Sequence, residues 1–238
     1  MLNANCHMPR KRIDIKLQGF ALFARDKPAS VKLYLHMATE DSGWNVLILA
    51  KRCGIYDRLI MTQADNSRAT FSDDHMNLRY NACDVGLTTT TVEGWGMVSF
   101  EHAATRTAQI VPRHSSLESL WAGAAEFVEA TTTLTYPGNL TVGHIVSPEG
   151  VAAALQRLYE DANHRAAMAE KGYRNATRPE YTWPSIGDQC GRRSMGDPIH
   201  SPFIHSFSSE ALTALSLRFS LDSLIKSGWL SFASGSFS

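Results

Sequence analysis

Hydrophobic positions along the chain alternate between short continuous runs and longer stretches with helical spacing. The short runs, rich in Val, Ile and Leu, predict buried strands, and the spaced stretches predict amphipathic helices. The predicted strands are Val31–Met37, Arg58–Gln63, Val85–Thr90, Ala108–Pro112 and, as the last one, Glu126–Ala130. The predicted helices are Ile13–Arg25, Trp44–Gly54, His75–Asp84, Trp95–Thr105, Ser115–Gly123, Pro148–Asp161 and Asn163–Thr177.

Strands and helices in strict alternation, joined by a few residues, are typical of a parallel sheet covered by helices on both faces. We therefore predict an α/β fold with a doubly wound, Rossmann-like parallel sheet. Met1 and Leu2 supply only an incomplete apolar start for its first strand. Asp73 or Asp74 is the predicted cap of the helix that follows them. Sheets of this kind bind ligands at the carboxyl ends of their strands.

Composition excludes some classes of function. The 238 residues include 23 basic and 23 acidic side chains, so no net charge favours nucleic acid or an anionic membrane surface. The N-terminus has no apolar run of signal-peptide length, and no stretch approaches the ~18 apolar residues of a membrane span. Four cysteines show no metal-ligand spacing, which is typical of buried thiols in a reducing compartment. We predict a cytoplasmic protein without a membrane span.

Composition changes after about residue 185. Between Ser194 and Ser238 there are 13 serines in 45 residues, interleaved with Phe and Leu, and the apolar positions do not settle on one helical face. We predict a main domain over residues 1–185 and a Ser-rich, poorly specified tail over residues 186–238.

The most informative segment is Thr91–His102, TVEGWGMVSFEH, where a predicted strand turns into a predicted helix. Glycine at positions 94 and 96 lets the backbone approach a ligand closely. Eight helical positions separate Glu93 from Glu101, which places the two carboxylates within about 80° of each other around a helix axis. Each glutamate alone has a structural explanation, as a charge at a helix start or on a solvated face. Together with the glycines at a strand's carboxyl end, they favour a binding site.

Main-chain nitrogens are the second part of this predicted site. The N–H groups of Gly96, Met97 and Val98 begin the helix and have no intrahelical partner, so they form a place for an anion. Such a site could hold a phosphate, while the carboxylates accept hydrogen bonds from hydroxyls. A nucleotide with sugars on both sides of its phosphates has these groups.

The segment EGWGMVSFE resembles the E-x7-E signature of retaining glycosyltransferases with the GT-B fold, in the group 1 glycosyl transferase family. LRYNACDVGLTTTTVEGWG is similar to that family's lead-in to the motif, and EHAATRTAQIVP to its exit. PEGVAAALQRLYEDANHRAAMAEKGYRNAT resembles its closing helices. These blocks occur in the family's order and belong to its C-terminal, donor-binding domain.

The resemblance implies a set of roles. Glu93 would contact hydroxyls of the donor sugar as a catalytic residue, and Glu101 would accept hydrogen bonds from the ribose. The main chain of the segment between them would face the phosphates of a nucleotide diphosphate-sugar: Gly94, Trp95, Gly96, Met97 and Val98. Gln63, after the third strand, would lie near the base.

A basic turn is also implied. Lys11 best fits the family lysine that neutralises the diphosphate leaving group, with Arg10 or Arg12 assisting. The basic residues of Pro9–Asp14 stand at a helix start, where positive charges interact unfavourably with the helix dipole. A bound anion would explain their presence there. The family's partner arginine would fall on Asn5, and this departure weakens the predicted clamp on the phosphates.

The predicted function is thus transfer of a sugar, with retention of configuration, from a nucleotide diphosphate-sugar. Cations and amides carry the diphosphate charge, so no metal and no cofactor is predicted. A GT-B enzyme also has an N-terminal acceptor domain, so we expect a separate N-terminal domain as partner and little turnover by this chain alone. Two alternatives remain open: a non-catalytic nucleotide-sugar-binding module or inactive fragment, and a GT-B-like enzyme such as a sugar-nucleotide epimerase.

Overall fold

The computed structural model describes residues 1–39, 42–62, 71–138, 140–182 and 184–188, and in these residues seven strands form one sheet. The spatial order is β3-β2-β1-β4-β5-β6-β7, and every neighbouring pair up to β6 is parallel. The strands are β1 (Leu2–Asn3), β2 (Leu33–Leu35), β3 (Leu59–Met61), β4 (Val85–Leu87), β5 (Ala108–Arg113), β6 (Glu126–Thr135) and β7 (Val142–Val146).

Helices follow the strands as the apolar spacing predicts, with ends that differ from the predicted ones by up to three residues. They are α1 (Ile13–Ala24), α2 (Val46–Arg52), α3 (Asp73–Asn81), α4 (Met97–Ala103), α5 (Ser115–Leu120), α6 (Pro148–Glu160) and α7 (Ala162–Ala176). The doubly wound α/β prediction is therefore confirmed for the described part of the chain. The strand order reverses between β1 and β4, and in such sheets the ligand crevice lies at the carboxyl ends of the strands on either side of the reversal.

Two hydrophobic cores cover the sheet. One joins α1, α2 and α6 to the strands and includes Ile110 of β5, while the other joins α4 and α5 and includes Val111 of the same strand. Adjacent strand residues point to opposite faces, so the two cores lie on opposite sides of the sheet. Burial of both faces explains why the strands read as continuous apolar runs.

The sequence-based prediction for the end of the sheet is wrong. We predicted a last strand over Glu126–Ala130, but β6 continues to Thr135 and forms an antiparallel hairpin with β7. A run of β-branched threonines extends β6, and Pro137 and Gly138 turn the chain, with Gly138 at a φ of 95°. These strand and turn signals outweigh the helix–strand alternation from which the prediction was made.

The predicted cap of α3 is also wrong. Ser72 caps the helix by accepting a hydrogen bond from the His75 amide. Asp73 and Asp74 lie in the first turn, where their negative charges interact favourably with the helix dipole.

Two predictions fall on residues outside those described. Gln63 is one, and most of the predicted tail, residues 189–238, is the other, so the base-binding role and the domain boundary stay predictions. Across the described ranges, none of the helices combines the length and the apolar character that a membrane crossing requires.

Candidate functional site at the carboxyl edge of the sheet

The chain leaves β4 through four buried threonines that attach it to the turn following β1. The amide of Thr91 donates to the carbonyl of Arg10 over 2.8 Å. The Thr89 hydroxyl lies within 3.0 Å of the Lys11 carbonyl and 2.9 Å of the Arg12 carbonyl. The Thr89 and Thr91 groups thus donate hydrogen bonds to backbone carbonyls and hold the turn after β4 against the turn after β1. The two segments with predicted site residues are thereby held together across the point where the strand order reverses.

Lys11 and Glu93 meet in this place. The Lys11 ammonium donates to Oε2 of Glu93, and the Arg10 guanidinium lies 3.6 Å from the same oxygen. Both members of the pair are largely buried, with 10% and 14% of their side chains exposed, whereas Arg10 is 36% exposed. Arg10 also donates to the Val92 carbonyl over 3.1 Å. The structure thus brings together three of the predicted site residues, two cations and one carboxylate, at the edge where a ligand would bind.

Arg12 does not join this group. Its guanidinium forms a two-pronged ion pair with Asp14, with distances down to 2.7 Å, and lies 6.0 Å from the Trp44 ring. The hydrogen bond to Asp14 raises the pKa of the Arg12 guanidinium above its usual value. Arg12 also has a φ of 44°, a left-handed conformation that ends the short turn Pro9–Lys11 and starts α1. Of the two predicted assisting arginines, Arg10 is the one that lies beside Lys11.

The glycine turn differs from its prediction. Helix α4 begins at Met97 with Gly96 as its N-cap at a φ of 81°, two residues later than predicted. Glu93 therefore precedes the helix, and the angle of about 80° derived from helical geometry does not describe its side chain. Gly94 is exposed, and an added Cβ there would meet no atom within 4 Å. The backbone of this turn is accessible at Gly94, and the Met97 residue is exposed.

Trp95 contributes its ring to packing. The indole stacks on Phe100 at 5.1 Å and meets Tyr181 edge-on at 4.9 Å. The role that the resemblance implies for Trp95 concerns its main-chain nitrogen, and the side chain serves to fix the turn to the second hydrophobic core.

Glu101 lies on α4 with its side chain against α3. The Tyr80 hydroxyl donates to Oε2 of Glu101 over 2.7 Å, and the pKa of Tyr80 is raised, first by burial and then by this carboxylate. Behind Tyr80, the buried His102 stacks on the tyrosine ring at 5.4 Å and bonds to the Tyr80 carbonyl over 3.1 Å. Burial lowers the pKa of His102 to about 4, so the ring is neutral at pH 7. Glu101 is exposed and keeps acceptor capacity for another donor.

The β6–β7 hairpin, which the sequence-based prediction missed, supports the site from the other side. The Tyr136 hydroxyl lies 2.6 Å from the Thr91 hydroxyl, and the His144 amide donates to the Thr91 carbonyl over 2.8 Å. The rings of His114 and His144 stack at 5.2 Å, and His114 bonds to the Thr90 carbonyl over 2.7 Å. Strand signals in the threonine run were sufficient to find the hairpin, but its contact with Thr91 is long-range.

A cavity of about 300 Å³ lies at the opposite edge of the sheet. Its lining comes from residues before or at the start of strands, such as Met1, Val31 and Asp84, together with apolar residues of α1 and α6. Ligands of doubly wound sheets bind at the carboxyl edge, so this cavity is separate from the candidate site.

Comparisons with known proteins support the fold and go no further. No family model and no curated protein matches the chain. Among solved structures, the chain is similar to the C-terminal domain of a glycosyl transferase group 1 family protein from Francisella tularensis, with a TM-score of 0.58 and 16% identity over 74% of this chain and 83% of that one.

Two longer proteins are similar to the same degree. A sucrose-phosphate synthase from Thermosynechococcus elongatus matches with a TM-score of 0.58 and 16% identity over 78% of this chain and 42% of that one. Anabaena Alr3699/HepE, solved in complex with UDP, matches with a TM-score of 0.57 and 18% identity over 80% of this chain and 48% of that one. The chain thus has the fold of a C-terminal, Rossmann-like GT-B domain and spans most of one isolated domain but less than half of each longer protein.

Proposed function

We propose that this chain binds a nucleotide diphosphate-sugar and is the donor-binding half of a retaining glycosyltransferase. In this proposal Lys11 and Arg10 neutralise the diphosphate, and Glu93 accepts hydrogen bonds from the donor sugar. Glu101 accepts hydrogen bonds from the ribose, and Gln63 lies near the base. The acceptor site belongs to a separate N-terminal GT-B domain, so the chain alone turns over slowly.

One observation carries the proposal: Lys11, Arg10 and Glu93 converge at the carboxyl edge where the strand order reverses. Two cations face a single carboxylate there, which leaves a local excess of positive charge for an anion. The buried threonines hold these groups in place before any ligand arrives. The accessible backbone of Gly94 directly follows Glu93 in the chain.

The proposed chemistry follows from this arrangement. The bond between the anomeric carbon and the diphosphate breaks, and its electron pair moves to the leaving oxygen. An acceptor hydroxyl forms the new bond to that carbon, and its proton passes to the diphosphate. Cations already in position stabilise that developing negative charge without reorganisation, which is an effective source of catalysis. Lys11 would exchange its bond with Glu93 for a phosphate oxygen when the donor binds, before the chemical step, and Glu93 would then be free to accept from a sugar hydroxyl. No metal is required for this step.

Calorimetric titration with UDP, GDP and ADP tests the proposal. We expect one of them to bind, and we expect Lys11→Met to weaken that binding at least about tenfold, because a charge-assisted hydrogen bond is lost. Lys51→Met is the matched control, since Lys51 lies in the last turn of α2, at the other edge of the sheet. A folded wild-type sample that gives no heat with any of the three would overturn the proposal.

Two further measurements separate the alternatives. Chelation with EDTA should leave nucleotide binding unchanged, and a requirement for Mg²⁺ counts against the roles given to Lys11 and Arg10. Addition of a separate N-terminal GT-B domain should restore transfer with the anomeric configuration retained, as read by NMR of the product. Binding without transfer under those conditions supports a nucleotide-sugar-binding module, and release of UDP from a UDP-sugar without an acceptor supports an epimerase-like enzyme.

A further inference from the structure

Lys16, in the second turn of α1, is completely buried. Its ammonium donates to Oδ1 of Asn3, and the Asn5 side-chain amide donates to the same oxygen over 2.9 Å. The other polar atom of the Asn3 side chain, Nδ2, is buried and has no hydrogen-bond partner among the described residues. Sequence reasoning gave Lys16 no role, because a lysine in an amphipathic helix normally reaches water.

A buried lysine usually has a carboxylate beside it, and Lys16 has none in the part of the chain that the structure describes. Among the residues that the structure describes, Lys11 is the charged group that acts on Lys16, and it repels it. Burial first, and Lys11 second, lower the pKa of Lys16 well below its usual value. An uncompensated charge in the interior costs several kcal/mol, so fold stability does not explain why a lysine occupies this position.

The location of the contact gives a better explanation. Asn3 is the last residue of β1, and β1 is the strand at which the order reverses toward β4. The floor of the ligand crevice lies at this strand end. Asn3, Asn5 and Lys16 therefore form a buried polar cluster at the end of β1, and Lys11 is close enough to act on Lys16 electrostatically. An anion in the crevice would supply the negative charge that the cluster lacks.

We propose that Lys16 is a buried basic residue of the phosphate site, a positioning residue that favours a bound diphosphate across Asn3 and Lys11 without touching it. This inference rests on the proposed function. Inside the protein, charges interact more strongly than in water, so we expect Lys16, once charged beside a bound diphosphate, to contribute about tenfold to the affinity. A neutral nucleoside would gain nothing from it.

The test compares charged and uncharged probes on the same variants. Calorimetry measures the binding of UDP, GDP or ADP, whichever the wild type binds, together with the matching nucleoside and inorganic pyrophosphate. We expect Lys16→Met to weaken diphosphate and pyrophosphate binding about tenfold and to leave nucleoside binding unchanged. Lys16→Gln, which is neutral but can still donate to Asn3, should behave in the same way. Lys51→Met should bind all probes as the wild type does.

Unfolding measurements exclude a purely structural role. Methionine has a similar length and no group that must be desolvated, so the Lys16→Met variant should be no less stable than wild type. Equal diphosphate binding by a folded Lys16→Met or Lys16→Gln variant and the wild type overturns the role of Lys16 and leaves the proposed function intact. Loss of nucleoside and diphosphate binding in equal measure also overturns it. Absence of binding by the wild type overturns both proposals.

Discussion

Glu93 and Glu101 stand eight residues apart in one motif, but the structure places them in different surroundings. Glu93 is 14% exposed, bonds to Lys11 and lies 3.6 Å from Arg10. Glu101 is exposed and bonds to the neutral hydroxyl of Tyr80. The Glu93 carboxylate therefore lies among cations. The Glu101 carboxylate instead contacts an uncharged pair of stacked rings, Tyr80 and His102.

The difference shows how one sequence motif can give two kinds of contact. A carboxylate among cations is suited to exchange partners when an anionic ligand arrives. A carboxylate held by a phenol keeps its position and offers its remaining lone pairs to ligand hydroxyls. The two ends of the motif should accordingly respond to different perturbations, charge removal at Glu93 and acidification at Glu101.

Acidification should give the largest effect, at the Glu101 end. Burial lowers the pKa of His102 to about 4, while the unfolded chain binds this proton near 6.5, so the unfolded state holds more protons between these values. The free energy of unfolding should fall as the pH is lowered from 6.5 to 4 and become level below that. A pKa difference of this size lowers the free energy of unfolding by roughly 3 kcal/mol over this pH range.

Urea unfolding at pH 7, 5.5 and 4 measures this, with His102→Gln as the comparison. Glutamine can donate to the Tyr80 carbonyl but does not titrate in this range, so the variant should lose less stability than wild type on acidification. His36 and His114 also have pKa values lowered by burial and remain in both proteins. Parallel pH profiles for the two proteins would show that His102 is not the cause.

Variants of Lys11 and Glu93 should change the free energy of unfolding by an intermediate amount, and their effects should be coupled. Lys11→Met leaves Glu93 largely buried without its closest cation, and Glu93→Gln leaves Lys11 without its carboxylate. Each single change should lower the free energy of unfolding by about 2 kcal/mol, and the double variant should lose less than their sum. Denaturation of all four proteins gives the coupling energy, and additive losses would mean that the pair contributes nothing to stability.

The smallest effect is expected for Tyr80→Phe. This change removes the hydrogen bond to Glu101 and keeps the ring that stacks on His102. Water replaces the lost donor at the exposed carboxylate, so the free energy of unfolding should fall by less than about 1 kcal/mol. Thermal or urea unfolding checks the value. A loss as large as that of Lys11→Met would erase the contrast between the two ends of the motif.

The alternation of apolar runs was sufficient to predict the doubly wound sheet and the helices on it. Hydrophobic periodicity reports burial, and burial on both faces of a strand leaves a simple signature. The glycine positions of the turn before α4 were also visible in the sequence. The threonine run and the Pro137–Gly138 turn also indicate the hairpin of β6 and β7, but the alternation of strands and helices by itself favours an end of the sheet at Ala130.

The sequence did not determine which side chains contact each other. The sequence determined that basic residues follow the first strand and that Glu93 follows the fourth, and the parallel topology brings these turns to one edge. Only the tertiary structure decided that Arg10 and not Arg12 lies beside Lys11, because a left-handed backbone at Arg12 turns its guanidinium to Asp14. Only the fold, likewise, buries Lys16 against Asn3, since whether a lysine reaches solvent depends on contacts between residues far apart in the chain.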